Sequence, residues 1–231
     1  MRIKNESRHI QEVLERLLAL CSVVFVFDDR STDNTIGICS TFGNRVRVFP
    51  SPFKDLNEAR DKNYLLERLK EAQADWVAWI DGDEVLERKG PKLIRRSVSR
   101  HPETATFSLQ ISYLWDRVDQ VRVDGVWGRF MRPCVFRLSQ QRLDRIRFAV
   151  RGTGPNFHCG NVPEGLSGTK KVLPVRLKHY GYLDRDDRER KFQWYNACDP
   201  NNAAEDCYRH IIGTPDSRFA PGPPRFGRWS E

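Results

Sequence analysis

Nothing in the 231-residue chain approaches the roughly 18 consecutive apolar residues that a membrane-spanning helix requires. The opening Met1-Arg2-Ile3-Lys4-Asn5-Glu6 lacks the apolar core and small-residue cleavage site of a secretory signal. The expectation is a cytoplasmic protein with no transmembrane segment. Six cysteines (Cys21, Cys39, Cys134, Cys159, Cys198, Cys207) contain no Cys-x-x-Cys pair. That excludes a zinc ribbon and a thioredoxin-type site, and reads as free thiols in a reducing compartment, with Cys21 and Cys39 as small core residues. No internal repeat is present. The length fits one elaborated domain better than two.

What the chain does have is an alternation of helix and strand patterns. Ile10, Val13, Leu14, Leu17 and Leu18 fall at the spacing of an amphipathic helix over residues 9–20. The continuous run Val23-Val24-Phe25-Val26-Phe27 is of strand length and apolar on both faces. Ser31, Thr32 or Asp33 then caps a helix carrying Ile36, Cys39 and Phe42, and a second strand spans residues 45–49. A helix over 56–72 shows Leu56, Ala59, Leu66 and Leu69 on one side, before the strand Trp76-Val77-Ala78-Trp79-Ile80. This order predicts a parallel sheet with right-handed crossovers, half of a doubly wound α/β fold. Beyond Pro91 the pattern predicts long strands over 104–115, 126–138 and 172–180, a glycine-rich loop over 152–168 and a charged helix over 184–198. The proline-rich tail from Thr214 is a strap or a flexible end.

Open α/β sheets bind ligands beyond the carboxyl ends of their strands, so the residues directly after each apolar run are candidates for function. Those residues are acidic: Asp28-Asp29 after the first run and Asp81-Gly82-Asp83-Glu84 after the later one. An Asp-x-Asp alone is weak, because 18 aspartates in 231 residues yield roughly one match by chance. Asp184-Arg185-Asp186 is a second match, at the start of a solvated helix where carboxylates favour the dipole. In extended chain Asp81 and Asp83 project to one side, and Gly82 lets a ligand approach the backbone. Hard oxygen donors of this kind suit magnesium or manganese bridging a diphosphate; the competing reading is a charged surface turn.

The formal charge is +8, and nine arginines lie between Arg117 and Arg151 against three aspartates. The stretch 117–151 suggests a polyanionic partner or, equally, a solvated strand face with ordinary ion pairs.

Asn5-Glu6 before a helix, Phe27-Asp28-Asp29-Arg30-Ser31-Thr32-Asp33-Asn34-Thr35, Glu58-Ala59-Arg60 and Trp79-Ile80-Asp81-Gly82-Asp83-Glu84 resemble, in order and spacing, the family 2 glycosyltransferases of GT-A fold. The resemblance covers about residues 1–90, and Lys178-His179-Tyr180-Gly181-Tyr182 with the helix after it is similar to the closing segment of some members. The apolar first strand of the family is represented here only by Met1, Arg2 and Ile3. The resemblance implies a single GT-A domain over 1–231: a Rossmann-like, mostly parallel central sheet flanked by helices, with a smaller mixed β acceptor-side region. Within it, 1–90 is the nucleotide-sugar half, 91–183 the acceptor-side half, and 184–231 a C-terminal helix and tail.

The resemblance also implies roles. Asp28 faces the nucleobase, Arg60 lies near base and phosphates, and Asp81 faces the ribose and metal. Asp83 is the metal ligand and His179 completes the manganese or magnesium and diphosphate site. Arg2 and Lys4 stand where the first strand passes the nucleoside. It favours UDP as the donor's nucleotide and inverting transfer, with Glu164, in a loop similar to the one that presents the base, as the candidate and Asp124 and His158 as rivals. The acceptor expectation drawn from the arginines is a polyanion such as DNA bearing a hydroxymethylated base, against a glycan or lipid acceptor. A nucleotidyltransferase would need a glycine-rich basic loop that Asn5 to His9 does not supply. A non-catalytic nucleic-acid-binding module would leave Asp28, Asp81 and Asp83 unexplained.

Overall fold

The apolar spacing of the first thirty residues is realised as a helix and a buried strand. The computed structural model describes residues 1–150, 159–200, 202, 206–214 and 216–231. Its elements are β1 (Arg2–Ile3), α1 (Ile10–Leu18), β2 (Val24–Asp28), α2 (Thr35–Ser40), β3 (Val46–Pro50), α3 (Glu58–Glu71), β4 (Trp76–Ala78), β5 (Glu84–Leu86) and α4 (Gly90–Arg100). They continue with β6 (Thr104–Trp115), β7 (Arg117–Arg122), β8 (Met131–Arg137), β9 (Thr169–His179), α5 (Arg185–Cys198), α6 (Arg209–Ile212) and β10 (Phe226–Arg228). No helix among the described residues is long and apolar enough to cross a membrane.

The fold is mixed α/β. Parallel pairing runs β1-β2-β3, with Ile3 opposite Asp28 and Asp28 opposite Pro50, so the three strands end together. Trp76–Ala78 does not extend this sheet; it pairs antiparallel with Val135–Arg137, and the two-residue β1 pairs with β2. The second sheet runs β10-β7-β6-β8-β4, with β9 parallel to β6 and antiparallel to β5. Residues 126–130 turn back before β8 and do not form the first half of a strand, and the tail contributes β10, paired with β7.

Two apolar clusters hold the layers together. One joins α1 (Ile10, Val13, Leu14) to β2 and to Phe107, Leu109 and Ile111 of β6, all fully or nearly fully buried. The other joins Phe25 and Phe27 to Leu65 and Leu66 of α3, Trp79 and Phe148. Helix α3 buries Asp61 and Lys62 beside Leu65 and Leu66, so its inner face is partly ionic, unlike the apolar stripe its periodicity suggests. Its start is fixed by Asn57, whose side chain accepts from the Arg60 N–H at 2.9 Å. Asn57→Ala is expected to cost about 1 kcal/mol, read as a lower urea midpoint at constant slope. An unchanged midpoint would show that the cap contributes nothing.

Candidate active site

Because β1, β2 and β3 end in register, the residues after them gather at one sheet edge. Arg2 bridges Asp29 (2.7 Å) and Asp61 (3.1 Å), and Lys4 reaches Asp29 at 4.0 Å. Arg60 pairs with Asp55 and Asp61 and stacks over the Phe53 ring at 3.8 Å. Asp28 is buried and accepts from the Ser31 N–H at 3.2 Å, tightening the turn that follows β2. Arg2, Lys4, Asp28 and Arg60 therefore share one edge, rimmed by alternating charges.

The second group lies where β4 and β5 meet the end of β9. Asp83 Oδ2 is 3.2 Å from the Lys191 ammonium and 3.8 Å from His179 Nε2. Asp83, Lys191 and His179 close on the backbone at Gly181, where a Cβ would overlap Asp83 Oδ2, Lys191 Nζ and His179 Cε1. Gly82 serves differently from expectation: the space a Cβ would fill is taken by Ile3 and Glu6, so it admits the chain's own β1 end, not a ligand. Asp81 accepts from Arg132 Nη1 at 3.2 Å and from Asn161 Nδ2 at 3.3 Å. Arg132 also pairs closely with buried Glu84. Asn161 is held in turn by Lys62, which donates to its Oδ1 at 3.1 Å and to the Cys159 carbonyl at 2.7 Å.

Electrostatics sort these groups. Burial pushes His179 down to about 4 despite the nearby Asp83 carboxylate, so its ring is neutral at pH 7. Burial opposes the charge on Asp83, yet its cationic surroundings hold it well below the usual carboxylate range. With His179 neutral, the Lys191 ammonium is the cation that keeps it ionised. Burial, then the like charge of Asp83, push Glu6 up to about 8, and burial pushes Glu84 up to about 7 despite Arg132.

A neutral imidazole and a carboxylate 3.8 Å apart suit two donors on one divalent ion, each at about 2.0–2.2 Å from it. Among the described residues no three His, Cys, Asp or Glu side chains converge, so the remaining ligands would be phosphate oxygens and water. His179 Nδ1 is buried without a hydrogen-bond partner among the described residues, and its ring is positioned by packing on Tyr113 and Tyr182, both at 4.9 Å.

Of the residues considered as the base, Glu164 is exposed and lies three residues beyond Asn161, its N–H donating to the Arg147 carbonyl at 2.8 Å. Asp124 is buried elsewhere: both its oxygens accept from Arg122 and one also from the Arg225 N–H at 2.8 Å. His158 lies outside the described residues. The arginine-rich stretch divides. Arg122 and Arg137 are buried, Arg132 belongs to the Asp81 cluster, and Arg117 and Arg142 pair with Asp119 and Asp144. Arg129, Arg145 and Arg147 are exposed, and Arg151 lies outside the described residues.

Sequence reasoning missed Lys191, Arg132 and Asn161. Arg188, Lys191 and Tyr195 fall at i, i+3 and i+7 in α5, a face that could have marked this charged helix as inward-looking.

The family model described as Glycosyl transferase family 2 matches residues 1–159. No curated protein matches the chain. Among solved structures, S. aureus TarS 1–349 in complex with UDP-GlcNAc aligns at TM-score 0.56 and 15% identity, over 92% of this chain and 69% of that one. The same protein in complex with UDP aligns at 0.55 and 15%, over 92% and 68%. S. aureus TarS aligns at 0.54 and 14%, over 94% of this chain and 43% of that chain. At these identities the likeness is one of fold.

Proposed function

The chain belongs to the glycosyl transferase family 2 and is a glycosyltransferase, and from that premise we propose that it moves a sugar from a UDP-type donor to an acceptor hydroxyl with inversion. The observation that carries this reading is the convergence of Asp83, His179 and Lys191 beside the nucleoside edge formed by Arg2, Asp28 and Arg60. The complexes of TarS with UDP and UDP-GlcNAc support the choice of nucleotide.

In this reading Asp28 meets the base, Arg2, Lys4 and Arg60 line the nucleoside and its phosphates, and Asp81 meets the ribose. Asp83 and neutral His179 would hold manganese or magnesium, which when bound stabilises the charge of the departing diphosphate. Lys191 adds a second positive charge at the same place and orients Asp83. Glu164 takes the proton of the acceptor hydroxyl as its oxygen attacks the anomeric carbon, and the diphosphate leaves with the bonding electrons. Residues 1–90 form the donor half and 91–183 the acceptor side.

The acceptor we favour is a glycan. Internal partners engage most of the arginines that suggested a polyanion, and the exposed Arg129, Arg145 and Arg147 are the remaining support for DNA. Duplex DNA binding that weakens steeply between roughly 50 and 200 mM salt, with sugar incorporated into hydroxymethylated bases, would replace the glycan by DNA.

Calorimetry with UDP tests the donor site. Binding is expected to tighten when manganese is added and to weaken in excess chelator. Equal affinity in both conditions would remove the metal from the scheme, and no UDP binding would remove the donor.

A further inference from the structure

A cavity of about 360 Å³, two of whose rings pack on His179, is lined almost wholly by rings. Its walls come from distant parts of the chain: Tyr113 of β6, Trp127 of the turn before β8, Tyr182 and Tyr195 around α5, and Tyr208 and His210 of the C-terminal segment. Tyr113 and Tyr182 lie nearly parallel with centroids 5.5 Å apart, and the Trp127 ring stands edge-on to both at 4.5 and 5.6 Å. Tyr113 and Tyr182 are the same rings that pack on His179. Their contact with His179 connects the cavity to the place where a leaving diphosphate would sit.

Two features narrow what the cavity takes. Among the described residues no Asp, Glu, Lys or Arg lines it; the cations that stand over its rings are Arg122 over Trp127 at 5.0 Å, matched by Asp124, Lys191 over Tyr182 at 5.5 Å, matched by Asp83, and Arg218 over Phe219 at 5.0 Å. The described lining residues themselves offer a phosphate chain no cation. Trp127 is 4% exposed, and its indole Nε1 is buried without a hydrogen-bond partner among the described residues. A purely apolar occupant would leave that donor unsatisfied. A pyranose meets both conditions, since its C–H face packs on aromatic rings and its hydroxyl oxygens accept from an N–H.

We propose that this cavity is a pyranose-binding subsite of the transferase, with Trp127 Nε1 donating to a sugar hydroxyl. The subsite rests on the donor-site reading above, because the packing of its rings on His179 is what makes it part of the reaction. The pyranose is either the sugar carried by the donor or the terminal sugar of the acceptor.

Trp127→Phe keeps an aromatic ring and deletes the N–H. Three ligand sets are titrated against the wild type and this variant: UDP alone, UDP-glucose and UDP-GlcNAc, and the methyl β-glycosides of glucose, galactose and N-acetylglucosamine. UDP affinity is expected to stay within about twofold in the variant, which also verifies that it is folded. If the donor sugar occupies the cavity, the UDP-sugars lose about tenfold and the glycosides do not change; if the acceptor sugar does, the glycosides lose about tenfold and the UDP-sugars do not. Unchanged affinity for both sets overturns the subsite, as does competition by geranyl phosphate, which would mark it as a lipid site. Failure of the wild type to bind UDP overturns the donor-site reading and the subsite with it, whereas UDP binding with no sugar effect overturns the subsite alone.

Discussion

Asp83→Ala is expected to lower kcat for sugar transfer by about 10²- to 10³-fold with a smaller change in KM. Asp83 sits at the focus of the second cluster, 3.2 Å from Lys191 and 3.8 Å from His179. In the proposed scheme its loss would remove a cation ligand and release Lys191, so positive charge would no longer be fixed where the diphosphate gains negative charge. That charge develops as the glycosidic bond breaks, which places the effect in the transition state and not in ground-state binding. Initial rates of UDP release, with UDP affinity measured in parallel, check the split. A variant retaining more than about a tenth of wild-type kcat would take Asp83 out of the mechanism.

Glu164→Gln is expected to lose about 10²- to 10⁴-fold in transfer while binding UDP as tightly as the wild type. The side chain keeps its length and its exposure, and the backbone bond from its N–H to the Arg147 carbonyl does not depend on the carboxylate. What the amide cannot do is accept a proton. Normal turnover would place the base elsewhere, and Asp124 would be a poor successor, since Arg122 and the Arg225 N–H already engage its oxygens.

Much of the N-terminal half was legible because its signals are local. Five apolar residues in a row make β2, and Asp28, Asp81 and Asp83 follow apolar runs wherever the sheet is viewed from sequence. Position 82 was misjudged because what crowds it, Ile3 and Glu6, lies some eighty residues upstream. Lys191 reaches Asp83 across 108 residues, from a helix whose composition reads as a solvated surface. The arginine count misled for a related reason. A tally along the chain ignores that strand residues alternate in direction, so that in β7 Arg122 turns inward while Arg117 does not.

The aromatic cavity also sets an order of events during synthesis. Tyr113 and Trp127 leave the ribosome long before Tyr208 and His210, and β7 must wait for β10 to gain its outer partner. A nascent chain that already holds Asp28, Asp83 and His179 can thus form the edge proposed to bind nucleotide while one wall of the ring-lined chamber is still missing. If the proposed nucleotide and sugar sites are right, ligand capture should mature in two stages, with nucleotide first and sugar only once Tyr208 and His210 have docked.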